Sequence, residues 1–151
     1  MKLIAHRGNT NGPNVNDENN PSYIKSALSL GFDVEIDVWY VDKNFFLGHD
    51  GPQYLLHDES LIQDKRAWCH AKNIEAFEKM IKMQSNCFWH QEDDYTLTSS
   101  GFIWTFPGKT LTKNSVCVTN EKILAKENFK KLENACFGIC SDYVSMLESY
   151  K

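Results

Sequence analysis

A chain of 151 residues with 42% hydrophobic content and a formal net charge of −4 fits one soluble domain. Its 16 basic residues form no cluster against 20 acidic ones, which argues against nucleic-acid partners and leaves any anionic substrate dependent on a local site. No apolar run approaches a membrane span, and Met1-Lys2 leads to only three apolar residues, so neither stable membrane insertion nor a secretory signal is expected.

The first of those runs is Leu3, Ile4 and Ala5, ending at His6, Arg7 and Gly8. A short apolar run closed by a turn residue reads as a buried strand, although a buried helix segment fits the same pattern. A strand would deliver an imidazole and a guanidinium together at its C-terminal end. An imidazole moves protons near neutral pH, and a guanidinium grips phosphate or carboxylate through paired donors. Taken alone, the tripeptide equally suits a core histidine beside a surface arginine. Residues 9–20 are polar and turn-rich, either a plain connector or the wall of a site. Asn20 and Pro21 then mark a helix start, Tyr23, Ile24, Ala27 and Leu28 give one apolar stripe, and Gly31 ends it.

From Phe32 to Val41, Val34, Ile36 and Val38 alternate with Glu35 and Asp37, so the two carboxylates share one face of a strand. An edge strand would carry that alternation in solvent. The aromatic and β-branched flanks and the preceding helix suggest instead the central strand of a βαβ unit. Carboxylates turned into such an interior need compensation, and a divalent cation with hard oxygen ligands, Mg²⁺ or Ca²⁺, supplies it. Asp42 to Asn44 reads as a turn, and Phe45 to Asp50 as a hairpin arm that returns His49 towards Glu35 and Asp37.

Ala67 to Asn73 reads as a strand feeding a helix whose apolar face is Ile74, Phe77 and Ile81. Cys87 to Asp93 is another strand-like run, in which His90 and Glu92 share a face. Gly101–Pro107, Val116–Val118 and Phe137–Val144 are further strand candidates, and Tyr143–Lys151 suits a final helix. The cysteines, Cys69, Cys87, Cys117, Cys136 and Cys140, are odd in number, include no C-x-x-C pair and mostly sit in apolar runs. Buried free thiols in a reducing cytoplasm are the expectation.

His6-Arg7-Gly8, Glu18-Asn19, Glu35-x-Asp37 and His49-Asp50, in that order, resemble the glycerophosphodiester phosphodiesterase family, within the wider group of phosphatidylinositol-phospholipase-C-like barrels. The resemblance covers residues 3–50, about a third of the chain, and thins beyond. It implies an α/β fold, a TIM-type (β/α) barrel with its site at the C-terminal ends of the strands. An eight-fold barrel needs at least ~200 residues, so a reduced or incomplete barrel is expected, with residues 1–151 as a single domain. Family members carry Glu-x-Lys where this chain has His70 and Lys72, so His70 stands in the place of a metal-bound glutamate. His70 or Glu92 would then complete the metal ligands. Trp104 resembles the tryptophan of a late family strand, and Phe137–Val144 resembles the closing strand.

The implied reaction is metal-dependent hydrolysis of a glycerophosphodiester or a similar small phosphodiester. In it, Glu35 and Asp37 hold the metal, Arg7 and Lys72 grip phosphate oxygens, and His6 and His49 form the acid–base pair. Glu18 and Asn19 shape the site from the loop, Asn19 being the one expected to touch ligand. A barrel that binds a phosphorylated ligand without turnover is the alternative, favoured by His70 and by the short chain. A phospholipase or toxin of the same barrel type is disfavoured, since neither an export signal nor an apolar surface loop is evident.

Overall fold

The computed structural model of the protein describes residues 1–119 and 125–151. Strand β1 (Lys2–His6) buries Leu3, Ile4 and Ala5 and leads through a polar loop to helix α1 (Pro21–Ser29). Asn20 caps that helix by accepting the Ser22 backbone N–H, and Pro21 sits where a helix has no use for its missing donor. Ile24, Ala27 and Leu28 are its buried stripe. Strand β2 (Asp33–Val41) follows, then a two-residue turn in which Asp42 and Lys43 take φ of 48° and 66°. That left-handed turn matches the twist of a hairpin, and β3 (Asn44–Leu47) returns antiparallel with Leu47 opposite Val38.

The remaining elements are β4 (Tyr54–Leu55), α2 (Ser60–Gln63), β5 (Ala67–Ala71), α3 (Ile74–Lys82), β6 (Cys87–Phe88), β7 (Tyr95–Leu97), β8 (Ile103–Thr105), β9 (Ser115–Val118), α4 (Lys126–Glu133), β10 (Gly138–Ser141) and α5 (Val144–Glu148). Helix α3 is capped by Asn73 and buries Ala76 and Met80, whereas Ile74 and Ile81, expected on its inner face, are exposed. The final helix is shorter than Tyr143–Lys151.

The ten strands form one mixed sheet that curls into a half-barrel. This corrects the expected TIM-type (β/α) barrel, even in reduced form. Strands dominate, and the described residues hold only five short helices. A parallel (β/α) repeat needs a helical crossover after each strand. Residues 89–102 hold the hairpin arm β7 instead, and residues 106–114 between β8 and β9 carry no helix. Strands β3, β4 and β7 pair antiparallel with their neighbours, whereas β6, β5, β2, β1, β10, β9 and β8 pair parallel in that order. Among the described residues no ladder joins β6 to β8. Phe88 of β6 stacks on Trp104 of β8 across that line, ring centroids 4.5 Å apart.

Alternation along the strands places the site. On the concave face Ile4, Trp68, Phe88, Trp104, Val116 and Cys140 pack into one apolar layer. Two residues further along the same strands or their ends come His6, His70, His90, Phe106, Val118 and Asp142. The opposite face, with Val34, Ile36 and Val38, packs in the larger core with Ile24, Leu28, Ala76 and Met80 of the helices. Strand β2 alone turns carboxylates inward at every step, Asp33, Glu35 and Asp37, all nearly inaccessible. Asp33, at the end remote from the site, is matched by Lys2 at 2.9 Å and the Trp68 indole N–H at 3.1 Å.

Candidate functional site

A cleft of about 500 Å³ opens where the parallel strands end, lined on one side by His6, Arg7, Glu35, Asp37, His49, His70, His90 and Lys72. Trp89, Trp104, Phe106, Pro107 and Val118 line the other.

His6 ends β1, and its Nδ1 lies 2.8 Å from Oδ1 of Asp142, just past β10. That bond fixes the ring with Nδ1–H donated and Nε2 towards the cleft, 4.0 Å from Oε2 of Glu35. Asn9 donates to the same Asp142 oxygen at 2.8 Å and to Glu18 at 2.9 Å. After His6 the chain leaves the strand through two residues of positive φ, Arg7 at 51° and Gly8 at 87°. Such backbone in a non-glycine residue is strained, by roughly 1–3 kcal/mol. Here it turns the Arg7 N–H onto Glu35 at 3.3 Å while the guanidinium reaches Glu18 at 3.0 Å and Asp37 at 3.2 Å. A Cβ on Gly8 would meet Ile24 and Tyr23 at 2.9 Å, so α1 packs against a position only glycine suits.

Asn19, with φ of 63°, is buried, and both ends of its amide are occupied by Asp37: its Oδ1 accepts the Asp37 N–H and its Nδ2 donates to Oδ2, each at 2.9 Å. Asn19 therefore positions Asp37 rather than touching ligand, and Glu18 holds Arg7 and Asn9 from behind. This corrects the direct phosphate-binding role expected of the two.

His70 lies beside Asp37, with which its strand β5 is in register. Its Nε2 is 2.9 Å from the His90 carbonyl oxygen, which can only accept, so Nε2 carries a hydrogen. Its Nδ1 lies 3.1 Å from Oδ1 of Asp37 and 3.8 Å from Oε1 of Glu35. Ligand atoms of Glu35, Asp37 and His70 all fall within 4.8 Å of one another. Lys72 reaches the same Asp37 oxygen at 3.5 Å. Asp37 Oδ1 is buried yet takes no directed hydrogen bond among the described residues, although His70 and Lys72 are within ion-pair range. An acceptor left open in this way, beside a second carboxylate and an imidazole, can hold a divalent cation. Glu92, the other expected ligand, is exposed and lies outside the cleft lining, because β6 stops at Phe88 and the alternation that paired it with His90 lapses.

His49 follows Gly48, whose N–H donates to the Asp37 carbonyl and whose own carbonyl accepts the Trp39 indole N–H. A side chain at Gly48 would overlap the Gly51 carbonyl, so the turn that delivers His49 to the rim is closed to other residues. His49 is exposed, with Nδ1 2.6 Å from Asp50. Trp104 is buried in the cleft floor.

Charge ties the cluster together. Glu18, Glu35, Asp37 and Asp142 face two permanent cations, Arg7 and Lys72. The remaining two negative charges are matched either by protons on His6 and His70 or by one dication. Burial, then the neighbouring Asp37 carboxylate, push Glu35 above the usual carboxylate range. Burial would raise Asp37 too, but His70, Arg7 and Lys72 hold it well below that range. Burial opposes protonation of both histidines, yet Asp142 and Glu35 raise His6, and Asp37 and Glu35 raise His70.

Without metal, folding stability is therefore expected to fall as the pH rises above 6.5. A histidine raised in the fold contributes fully below its unfolded value of 6.5 and loses that contribution as the pH passes its folded value. The raised Glu35 works in the same sense. Asp37 and Asp142 are depressed, so their contribution is present above 3.8 and is lost only as the pH falls through their folded values. Thermal melts in chelator on either side of pH 6.5 check this, and a melting temperature that rises across that boundary contradicts it.

No protein-family model, curated protein or solved structure matches the chain. Among the described residues no helix is long and apolar enough to cross a membrane.

Proposed function

We propose that the chain is a metal-dependent phosphodiester hydrolase acting on a glycerophosphodiester or a similar small diester, as its resemblance over residues 3–50 implies. One observation carries the reading: a histidine fixed in one tautomer by Asp142 shares a cleft with a Glu35–Asp37–His70 cluster suited to a dication. A bound divalent ion neutralises phosphate charge and polarises the P–O bond. Arg7 and Lys72, both leaning on Asp37, grip non-bridging oxygens. His6 and His49 divide the proton work. One takes the proton of the attacking hydroxyl, from water or from the substrate itself, and the other returns a proton to the leaving alkoxide. The aromatic side of the cleft limits water around the reacting phosphate. The five cysteines are free and buried, which supports a reducing cytoplasm as the setting.

A binding module without turnover is the second reading. It is favoured by the same charge count, since protonated His6 and His70 neutralise the cluster with no ion present. The two separate in one assay series. Chelator-treated protein is given Mg²⁺, Ca²⁺, Mn²⁺ or Zn²⁺ and a panel of glycerophosphodiesters and an aryl phosphodiester. Hydrolysis abolished by chelator and restored by a dication is the expected result. Metal and phosphate binding with no turnover across the panel would establish the binding module instead.

A further inference from the structure

We propose that His70 sets the metal preference of this centre, making it a mixed nitrogen–oxygen site selective for a borderline transition-metal dication of the Zn²⁺ or Co²⁺ type over Mg²⁺ and Ca²⁺. The inference rests on the reading of Glu35, Asp37 and His70 as a metal centre and adds which class of ion it takes.

Three features of the His70 ring point this way. First, its Nε2–H is donated to the His90 carbonyl oxygen at 2.9 Å. A histidine held at one nitrogen by a backbone carbonyl presents the other as a ligand of enhanced basicity. Second, the ring cannot easily swing away. It stacks nearly parallel on the buried Phe88, centroids 5.1 Å apart and planes 9° apart, and its side chain is only 15% exposed. Third, the nitrogen so presented faces carboxylate oxygens of both Asp37 and Glu35, at 3.1 and 3.8 Å. In the neutral ring that is a lone pair against two anions, an arrangement that a cation shared among the three atoms resolves. Metal–ligand bonds of ~2.0–2.2 Å set ligand atoms roughly 3–4 Å apart, the spacing found here.

The carboxylates are arranged to complement this. Asp37 has Oδ2 held by Asn19 and Arg7, while Oδ1, the oxygen nearest His70, takes no directed hydrogen bond. Hard Mg²⁺ and Ca²⁺ prefer oxygen throughout, and gain little from an imidazole. Imidazole nitrogen favours the first-row transition ions and Zn²⁺, with affinity rising from Mn²⁺ towards Cu²⁺. Any site of these charges holds Zn²⁺ more tightly than Mg²⁺, so the property that belongs to His70 is the size of the preference.

The test measures dissociation constants of Zn²⁺, Co²⁺, Mg²⁺ and Ca²⁺ by calorimetry on chelator-treated wild type, His70→Glu and His70→Gln. The ring nitrogens of the wild type are followed by ¹⁵N NMR as Zn²⁺ is added. The Zn²⁺-over-Mg²⁺ ratio is expected to fall at least tenfold in His70→Glu, with Mg²⁺ binding retained or strengthened. In the wild type the Nδ1 resonance of His70, and not Nε2, should move at one equivalent of Zn²⁺. A ratio unchanged in both variants, or an unmoved Nδ1 resonance in protein that has bound one Zn²⁺, overturns this inference and leaves the metal-dependent hydrolase standing. Failure of the wild type to bind any of the four ions overturns both. Should His70→Glu not fold, the glutamine variant and the wild-type spectra still decide.

Discussion

Replacing His6 with alanine is expected to lower phosphodiester turnover by ~10² to 10⁴, and His49→Ala to fall in the same range. The two side chains reach the cleft by separate routes, His6 at the end of β1 and His49 on the turn after β3. Neither belongs to the apolar clusters. Losing His6 leaves Asp142 bonded to Asn9 and partly open to solvent, so the fold should survive with a small change in melting temperature. His49 is more exposed still and touches only Asp50 in a directed way. Proton transfer by two imidazoles also requires a rate that rises and falls with pH, and each variant should remove one limb. His57 is exposed and outside the cleft, so His57→Ala should match the wild type. Full activity in His49→Ala would discard the two-histidine scheme, whatever His6→Ala does.

The first third of the chain was legible because its signals are local. The Asn20–Pro21 helix start, the alternation of Val34, Ile36 and Val38 with Glu35 and Asp37, and the hairpin that returns His49 each occupy fewer than a dozen consecutive residues. The sheet as a whole was not legible. Strands β4 and β6 have two residues each and β7 and β8 three, too few to carry a period. The mixed pairing is decided between segments distant in sequence, such as β1 with β10. Asp142 shows the same limit at the site. It lies 136 residues from His6, and its one local signal was its place after an apolar run, the same signal that singled out His6. Glu92 failed for the opposite reason: alternation was extended past Phe88, where the strand had already ended. Asn19 was found, but its left-handed backbone and its two bonds to Asp37 could not be read from a polar loop, so its role was misjudged.

Asp37→Asn is expected to cost about 3 kcal/mol of folding stability and to weaken dication binding by at least ~100-fold. Asp37 is 1% exposed and is the shared partner of Arg7, Lys72, His70 and Asn19. An amide of the same shape keeps the packing but removes the charge that those cations face. Removing one partner from a buried ion pair typically costs ~3–5 kcal/mol, because the survivor stays buried without compensation. The lower end applies here, since Arg7 keeps Glu18 and the Lys72 side chain is 17% exposed. The effect on metal binding must be separated from this loss, and β2 supplies the control. Asp33 is a buried carboxylate on the same face of the same strand, ion-paired with Lys2 at the far end from the cleft. Asp33→Asn should lower the melting temperature by losing that pair while leaving dication affinity at the wild-type value. Calorimetry at a temperature where both variants are folded compares them directly. If Asp37→Asn binds Zn²⁺ and Mg²⁺ as the wild type does, the carboxylate is a structural anchor for Arg7 and Lys72, and the metal-dependent reaction falls with it.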